Sequence, residues 1–354
     1  MTSEAAGGTL RNAEALRSAG LITQAAVPSV AATQARYAVA ISPAIRALIQ
    51  TPDDPIGRQF IPAPAELIVA PHERADPIGD DALSPVKGVV HRYPDRALLK
   101  LVHVCPVYCR FCFRREMVGP GKGDMMSETE LDAAFDYLAS HSEIRELIIT
   151  GGDPLILSVR RLEDLAARLE AIESIKLLRW HTRVPVVDPE RVTEELASVL
   201  APIGKSTWLA LHANHSRELT DAARLALRRL TEAGIHLVSQ SVLLRGVNDS
   251  TATLTELMRA FLEAGVKPYY LHHGDLAAGT SHWRVPIEEG LALVNALRGT
   301  LSGLAQPHYV IDIPGGFGKI PVSSAEKLAD GRYCLTDWQG ERHIYPPAAQ
   351  NKIR

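Results

Sequence analysis

Residues 105–115 read Cys-Pro-Val-Tyr-Cys-Arg-Phe-Cys-Phe-Arg-Arg, and three of the chain's four cysteines, Cys105, Cys109 and Cys112, fall among them. Gaps of three and two residues let a single loop bend all three sulfurs toward a common point. A [4Fe–4S] cluster takes one thiolate on each iron that the protein holds, so three thiolates leave one iron for a ligand that is not protein. The rival is a structural zinc site, which wants a fourth donor at tetrahedral spacing. His103 is two residues upstream on a strand-like run, Cys334 is far along the chain, and there is no second C-x2-C pair. The spacing favours the cluster.

Three further stretches carry groups that could do chemistry. Thr150-Gly-Gly-Asp-Pro154 puts Gly151, Gly152 and Asp153 at the end of an apolar run, where glycines let the backbone come close to a ligand, or simply make a tight turn. His212 ends another such run with Asn214 and His215 just beyond, and Gln240 sits inside a third; each is equally readable as a hydrogen-bonded interior polar residue. Tyr309-Val-Ile-Asp-Ile-Pro-Gly-Gly-Phe-Gly-Lys-Ile-Pro321 presents Lys319 from a glycine-rich loop. A phosphate-binding Walker loop would continue with Ser or Thr into a helix, and here Ile320-Pro321 follows. A lysine can also form an imine with pyridoxal 5′-phosphate (PLP), provided its amine can lose a proton. Alone, that loop is equally a turn with a solvated lysine.

These residues need a frame to hold them. Residues 9–19 and 29–50 have helical periodicity, with Pro43 breaking the second stretch. Residues 52–94 are rich in proline and read as an ordered wrapping segment. Short β-branched runs at 97–104, 145–150, 176–181, 206–212, 235–242 and 267–272 then alternate with amphipathic stretches near 127–141, 160–173, 189–200, 217–233, 251–264 and 286–301. Ser127 and Glu130 form a capping box for the first of these helices. The alternation predicts an α/β fold with parallel strands and helices outside, as a barrel or an open sheet. The cysteine loop follows the first strand, and loops at the C-terminal ends of parallel strands are where such folds keep their chemistry.

The totals describe an ordinary globular chain: 354 residues, 46% hydrophobic, 22% charged, formal charge −3. No basic block points to nucleic acid, and no apolar run approaches the roughly 18 residues of a membrane span. The start of the chain lacks the basic and apolar pattern of a signal peptide, and clustered cysteines are no disulfide framework, so a cytoplasmic setting is expected.

The cysteine spacing with Phe111 before the last thiol resembles the signature of the radical S-adenosylmethionine (SAM) superfamily. That resemblance implies a six-unit (β/α)6 partial TIM barrel over residues 96–305, an N-terminal helical and wrapping segment over 1–95, and a C-terminal segment, 306–354, that carries Lys319. It implies SAM on the open iron, with Gly151, Gly152 and Asp153 near its amino group and His212 and Gln240 as further candidate contacts. Four stretches together are similar to the lysine 2,3-aminomutase family: His91–Arg96, the cysteine loop with Arg114 and Arg115, Asp275–Arg284 and Ile311–Lys319.

By that similarity Lys319 carries PLP in imine linkage, and Arg92, Tyr93 and Arg96 surround its phosphate, which suits arginine's planar fork of donors. Arg114 would grip the substrate α-carboxylate, while Asp275 and Asp312 would hold the distal ammonium of L-lysine. The implied reaction moves the 2-amino group of L-lysine to C3, giving β-lysine, with an electron donor such as a flavodoxin or ferredoxin. Arginine or glutamate as substrate, and a non-catalytic metal-binding relative, are the alternatives. A homo-oligomer is compatible with all of these. Phe317 stands where relatives often have glycine, and no Cys-rich tail follows, so a zinc-linked dimer is not expected.

Overall fold

The computed structural model describes residues 8–121, 123, 125–201 and 204–347. Four short helices come first: α1 (Ala13–Ser18), α2 (Val27–Arg36), α3 (Pro43–Leu48) and α4 (Gly57–Phe60). The break in the 29–50 stretch lies earlier than Pro43. Helix α2 ends at Arg36, and Pro43 opens α3 behind the N-cap Ser42, whose hydroxyl accepts from the Ile45 amide. A proline at the first helical position gives up only an N–H that the helix cannot pair anyway, so it starts α3 as well as barring a continuous helix.

The wrapping segment ends in a strand that periodicity had not shown. β1 (Val89–Tyr93) pairs antiparallel with β2 (Arg96–Val102), turning at Pro94-Asp95. The expected strands then follow to within two residues: β2, β3 (Glu146–Gly151), β4 (Leu177–Thr182), β5 (Ser206–His212), β6 (His236–Val242) and β7 (Lys267–His272). Helices α5 (Glu128–Ser140), α6 (Val159–Glu170), α7 (Val184–Val187), α8 (Glu194–Val199), α9 (Asp221–Glu232), α10 (Thr251–Glu263) and α11 (Ile287–Arg298) connect them. Ser127 and Glu130 do form the capping box of α5. A seventh parallel strand, β8 (His308–Asp312), lies beside β7 and is followed by antiparallel β9 (Lys319–Pro321). A small antiparallel sheet, β10 (Glu326–Lys327), β11 (Tyr333–Thr336) and β12 (Arg342–Tyr345), closes the described chain.

The main sheet runs β1 to β9 in strict chain order. Its first and last strands face each other without pairing among the described residues. Side chains span the seam: the Lys319 amide donates to the Tyr93 hydroxyl at 2.9 Å, and Arg92 lies 3.7 Å from Asp312. The molecule is therefore a curled α/β partial barrel. No helix of the described residues is long and apolar enough to cross a membrane.

Register decides what the barrel holds. Residues paired across a sheet point to the same face, and neighbours along a strand to opposite faces. The outward set is apolar: Leu147 and Ile149 on β3, Leu178 and Trp180 on β4, Leu209 and Leu211 on β5 are all buried under the helices. Helix α6 answers with a stripe of Leu162, Leu165, Ala166 and Leu169. The Trp180 indole N–H donates outward to the Leu200 carbonyl at 3.0 Å. The inward set is polar. Lys100 pairs with Thr150, His181 with Ala210, His212 with Gln240, Val242 with His272, and Asp312 with Lys319. Polar groups from eight strands, β2 to β9, thus line one interior.

Candidate active site

Cys105, Cys109 and Cys112 lie on the loop leaving β2, unpaired and partly covered. The loop rests on the N-terminal segment. Glu66, fully buried, accepts from the Arg110 guanidinium at 2.7–3.1 Å and pairs closely with Arg115. The Arg110 amide donates to the Gln59 carbonyl at 2.9 Å, and its guanidinium to the Ala38 carbonyl at 2.6 Å. The Cys112 amide donates to the Cys109 carbonyl at 3.1 Å, which makes the turn between them. Burial, reinforced by Cys109, pushes the Cys112 thiol up to about 11, and burial carries Cys105 well above its ordinary value. Such thiols ionise when a metal takes the proton's place. Among the described residues no three Cys, His, Asp or Glu side chains gather as a single metal ion needs.

Gly151 ends β3 and Gly152 follows it, both against the backbone that leads into this loop. A Cβ on Gly151 would overlap the Val102 carbonyl, and one on Gly152 the Val104 carbonyl. The close approach that requires glycine is to the chain's own backbone, at the residue before Cys105. Asp153 is spent on structure: its carboxylate accepts from the Leu155 amide at 3.1 Å, the Thr182 hydroxyl at 2.7 Å and the Arg183 amide at 2.7 Å. It ties the ends of β3 and β4 beside the cysteines.

Deeper inside, His181 and His212 meet edge to face with centroids 5.4 Å apart. His212 Nε2, His181 Nε2, Gln240 Oε1 and His272 Nε2 are buried and find no partner among the described residues. Burial, helped by Arg183, His272 and Arg114, drives His212 down to about 3, so its ring is neutral. His181 is held well below its usual value by burial, then Arg179. Buried polar atoms ordinarily have partners, so four orphans on one face describe a polar ligand site. Asn214 and His215 serve the fold instead. Asn214 accepts from the Val242 amide at 2.8 Å, and the His215 ring accepts from the Arg217 amide at 3.2 Å.

At the seam, Lys319 Nζ donates to Asp312 Oδ1 at 2.8 Å, and His272 lies 3.5 Å from the other carboxylate oxygen. Burial alone would raise the Asp312 carboxyl, yet the Lys319 ammonium and the His272 contact hold it well below the carboxylate range. Asp275 is raised instead, first by burial and then by the charge of Asp312, with Lys319, Arg284 and Arg114 opposing. Asp275, Asp312, Lys319 and Arg114 therefore share one electrostatic neighbourhood. Arg114 donates to Asp80 at 3.0 and 3.2 Å and to the Thr150 hydroxyl at 3.2 Å. Asp80, 1% exposed, also takes Arg92 at 3.4 Å and Lys100 at 3.8 Å. Asp80 thus gathers three cations, one of which, Arg92, also meets Asp312 at 3.7 Å. Arg96, at the foot of β2, bonds Asp95 at 2.8 Å and stacks on the Tyr93 ring at 3.9 Å.

Residues 99–258 match the model of the Radical SAM superfamily. The chain is 40% identical over 286 residues to the L-lysine 2,3-aminomutase of Clostridium subterminale, covering 80% of this chain and 68% of that protein. It is 38% identical over 306 residues to the L-lysine 2,3-aminomutase of Fusobacterium nucleatum, covering 85% and 72%. Against that of Methanococcus maripaludis it is 39% identical over 309 residues, covering 86% and 71%. The chain belongs to the lysine 2,3-aminomutase family.

A radical SAM enzyme of this family uses a [4Fe–4S] cluster and SAM, and the residues present fit both. Three thiols share one loop, and His181, His212, Gln240 and His272 offer unpartnered polar atoms on the interior below it. His212 at the end of its strand and Gln240 within its own were legible as inward polar residues; His181 and His272 have the same strand parity and could have been found by extending it. Asp80, Lys100 and Glu66 carried no local signal, since a lone charge in a loop or strand looks like any surface residue until its partners are known.

Proposed function

We propose that this enzyme moves the 2-amino group of L-lysine to C3, using PLP bound through Lys319. The observation that carries the reading is the carboxylate pair: Asp312 bonded to Lys319 at 2.8 Å, with Asp275 close enough that the charge of Asp312 raises its carboxyl. When bound, PLP would supply a conjugated aldehyde to condense with the substrate's own amine, and SAM with the cluster would supply the radical chemistry. Asp312 and Asp275 together suit the distal ammonium of lysine, whereas a glutamate side chain would meet like charge.

At the other end of the pocket, Arg114 has three of its five N–H donors committed to Asp80 and Thr150, leaving two for a carboxylate. Arg92, Lys100 and Arg114, gathered around Asp80, offer cationic donors in that region, which supports a phosphate and a carboxylate there. Arg92 also has a buried Nε without a partner among the described residues. Tyr93 fixes the Lys319 backbone across the seam. Holding both ends of the substrate matters because a misplacement of about 1 Å can cost about 10²-fold in rate. The reductant that starts the reaction is a low-potential one-electron protein of flavodoxin or ferredoxin type.

The test is anaerobic incubation of cluster-reconstituted protein with SAM, PLP, a strong reductant and L-lysine, followed by NMR. β-Lysine is the expected product. Turnover of arginine or glutamate in preference to lysine, or no turnover of any amino acid by fully loaded protein, would overturn the reading.

A further inference from the structure

We propose that Arg183 sets the reduction potential of the cluster held by Cys105, Cys109 and Cys112, as a fixed buried cation on the Cys109 sulfur with Glu218 as its counterweight. The proposal rests on the cluster alone and is independent of the amino-acid substrate. Arg183 Nη1 donates to Cys109 Sγ at 3.3 Å. Its Nη2 donates to Gln59 Oε1 at 2.6 Å and to Glu218 Oε2 at 2.5 Å. Its backbone amide is held by Asp153 at 2.7 Å, so the residue is anchored at both ends. Phe60 and Phe111 flank the guanidinium at 4.9 and 5.6 Å, and the side chain is 7% exposed. Glu218, wholly buried, is pinned through its other oxygen by Gln59 and by the amides of Asn214 and His215, at 2.9–3.2 Å.

The physical case is one of charge. Hydrogen bonds to sulfur and net local charge are among the levers that set an iron–sulfur potential. One-electron reduction adds one negative charge to the cluster and its thiolates, the electron coming from the reductant. A cation bonded to a ligand sulfur in an apolar, water-poor setting favours that added charge. Glu218 offsets part of the effect. Neither residue is needed to ligate iron, and Arg183 acts through Cys109 as a positioning residue.

The two charges predict opposite displacements, which a merely structural tie between β4 and the cysteine loop would not. Full-length protein is reconstituted anaerobically and titrated with dithionite and mediators, reading the reduced cluster by EPR in the absence of SAM and amino acid. Arg183→Gln should lower the reduced-to-oxidised ratio at fixed potential by about tenfold, or 59 mV for a one-electron couple. Arg183→Lys should restore most of it, and Glu218→Gln, which keeps the shape, should move the ratio upward. An unchanged potential in Arg183→Gln, or a downward shift in Glu218→Gln, overturns the proposal. Should Arg183→Gln fail to hold iron, the upward shift in Glu218→Gln alone decides.

Discussion

Asp312→Asn replaces a buried carboxylate with a neutral isostere while Lys319, His272 and Arg92 stay around it, at 2.8, 3.5 and 3.7 Å in the native protein. If Asp312 receives the substrate's distal ammonium, the change removes one charge-assisted hydrogen bond, worth about 1.5–3 kcal/mol. At 1.36 kcal/mol per decade that is roughly ten- to 150-fold in kcat/KM for lysine. The neighbour sets where in that range the loss falls. Asp275 is raised by burial and then by the charge of Asp312. Without that charge its carboxyl ionises more readily and takes over part of the ammonium, so the loss should lie toward the lower end. The double variant with Asp275→Asn should lose more than the product of the single losses, because each aspartate covers for the other.

The pH profile carries the same logic. A protonated Asp275 attracts no cation, so native kcat/KM should fall on acidification through a window above the ordinary carboxylate value of about 3.9. In Asp312→Asn that acid limb should move to lower pH. The assay is initial rate against lysine at saturating SAM, with iron and PLP content measured for every variant. An unchanged kcat/KM in protein with native cofactor content, or an acid limb that moves upward, would refute the assignment.

Three other perturbations probe the frame around the pocket. Arg114→Ala should raise the KM for lysine by a factor corresponding to about 1.5–3 kcal/mol; an unchanged KM would remove Arg114 from the carboxylate role. Gly152→Ala places a methyl group against the Val104 carbonyl, next to Cys105, so iron and sulfide content after reconstitution should drop well below native; full loading would show that the loop can yield. Glu66→Ala strands two buried guanidinium groups and should cost about 3–5 kcal/mol in denaturant unfolding. A loss under about 1 kcal/mol there would mean that water reaches Arg110 and Arg115.

The α/β alternation and the cysteine loop were legible in sequence because each is local. Strand parity and helical stripes repeat over a few residues, and the three thiols sit within one turn-rich segment. β1 escaped because its five residues end at Tyr93, just before Pro94, and its partner was unknown; the Val89-Val90 run and the Tyr-Pro-Asp turn were its signals. Gly151 and Gly152 read in sequence as an approach to a ligand, and only coordinates reveal that the Val102 and Val104 carbonyls are what a Cβ there would meet. Charge networks were the hidden part. Asp80 gathers cations from 12 to 34 residues away, and Glu218 meets Gln59 across 159 residues. No window of sequence holds both ends of such a pair.

The platform for the cysteine turn is laid by Gln59 and Glu66, far ahead of the first barrel strand, which makes the front of the chain inseparable from the metal chemistry. Trimming the protein back to its nine-stranded sheet would yield a shell with two charged side chains turned toward a missing floor. The smallest unit able to hold the cluster in its native setting therefore begins well upstream of β1.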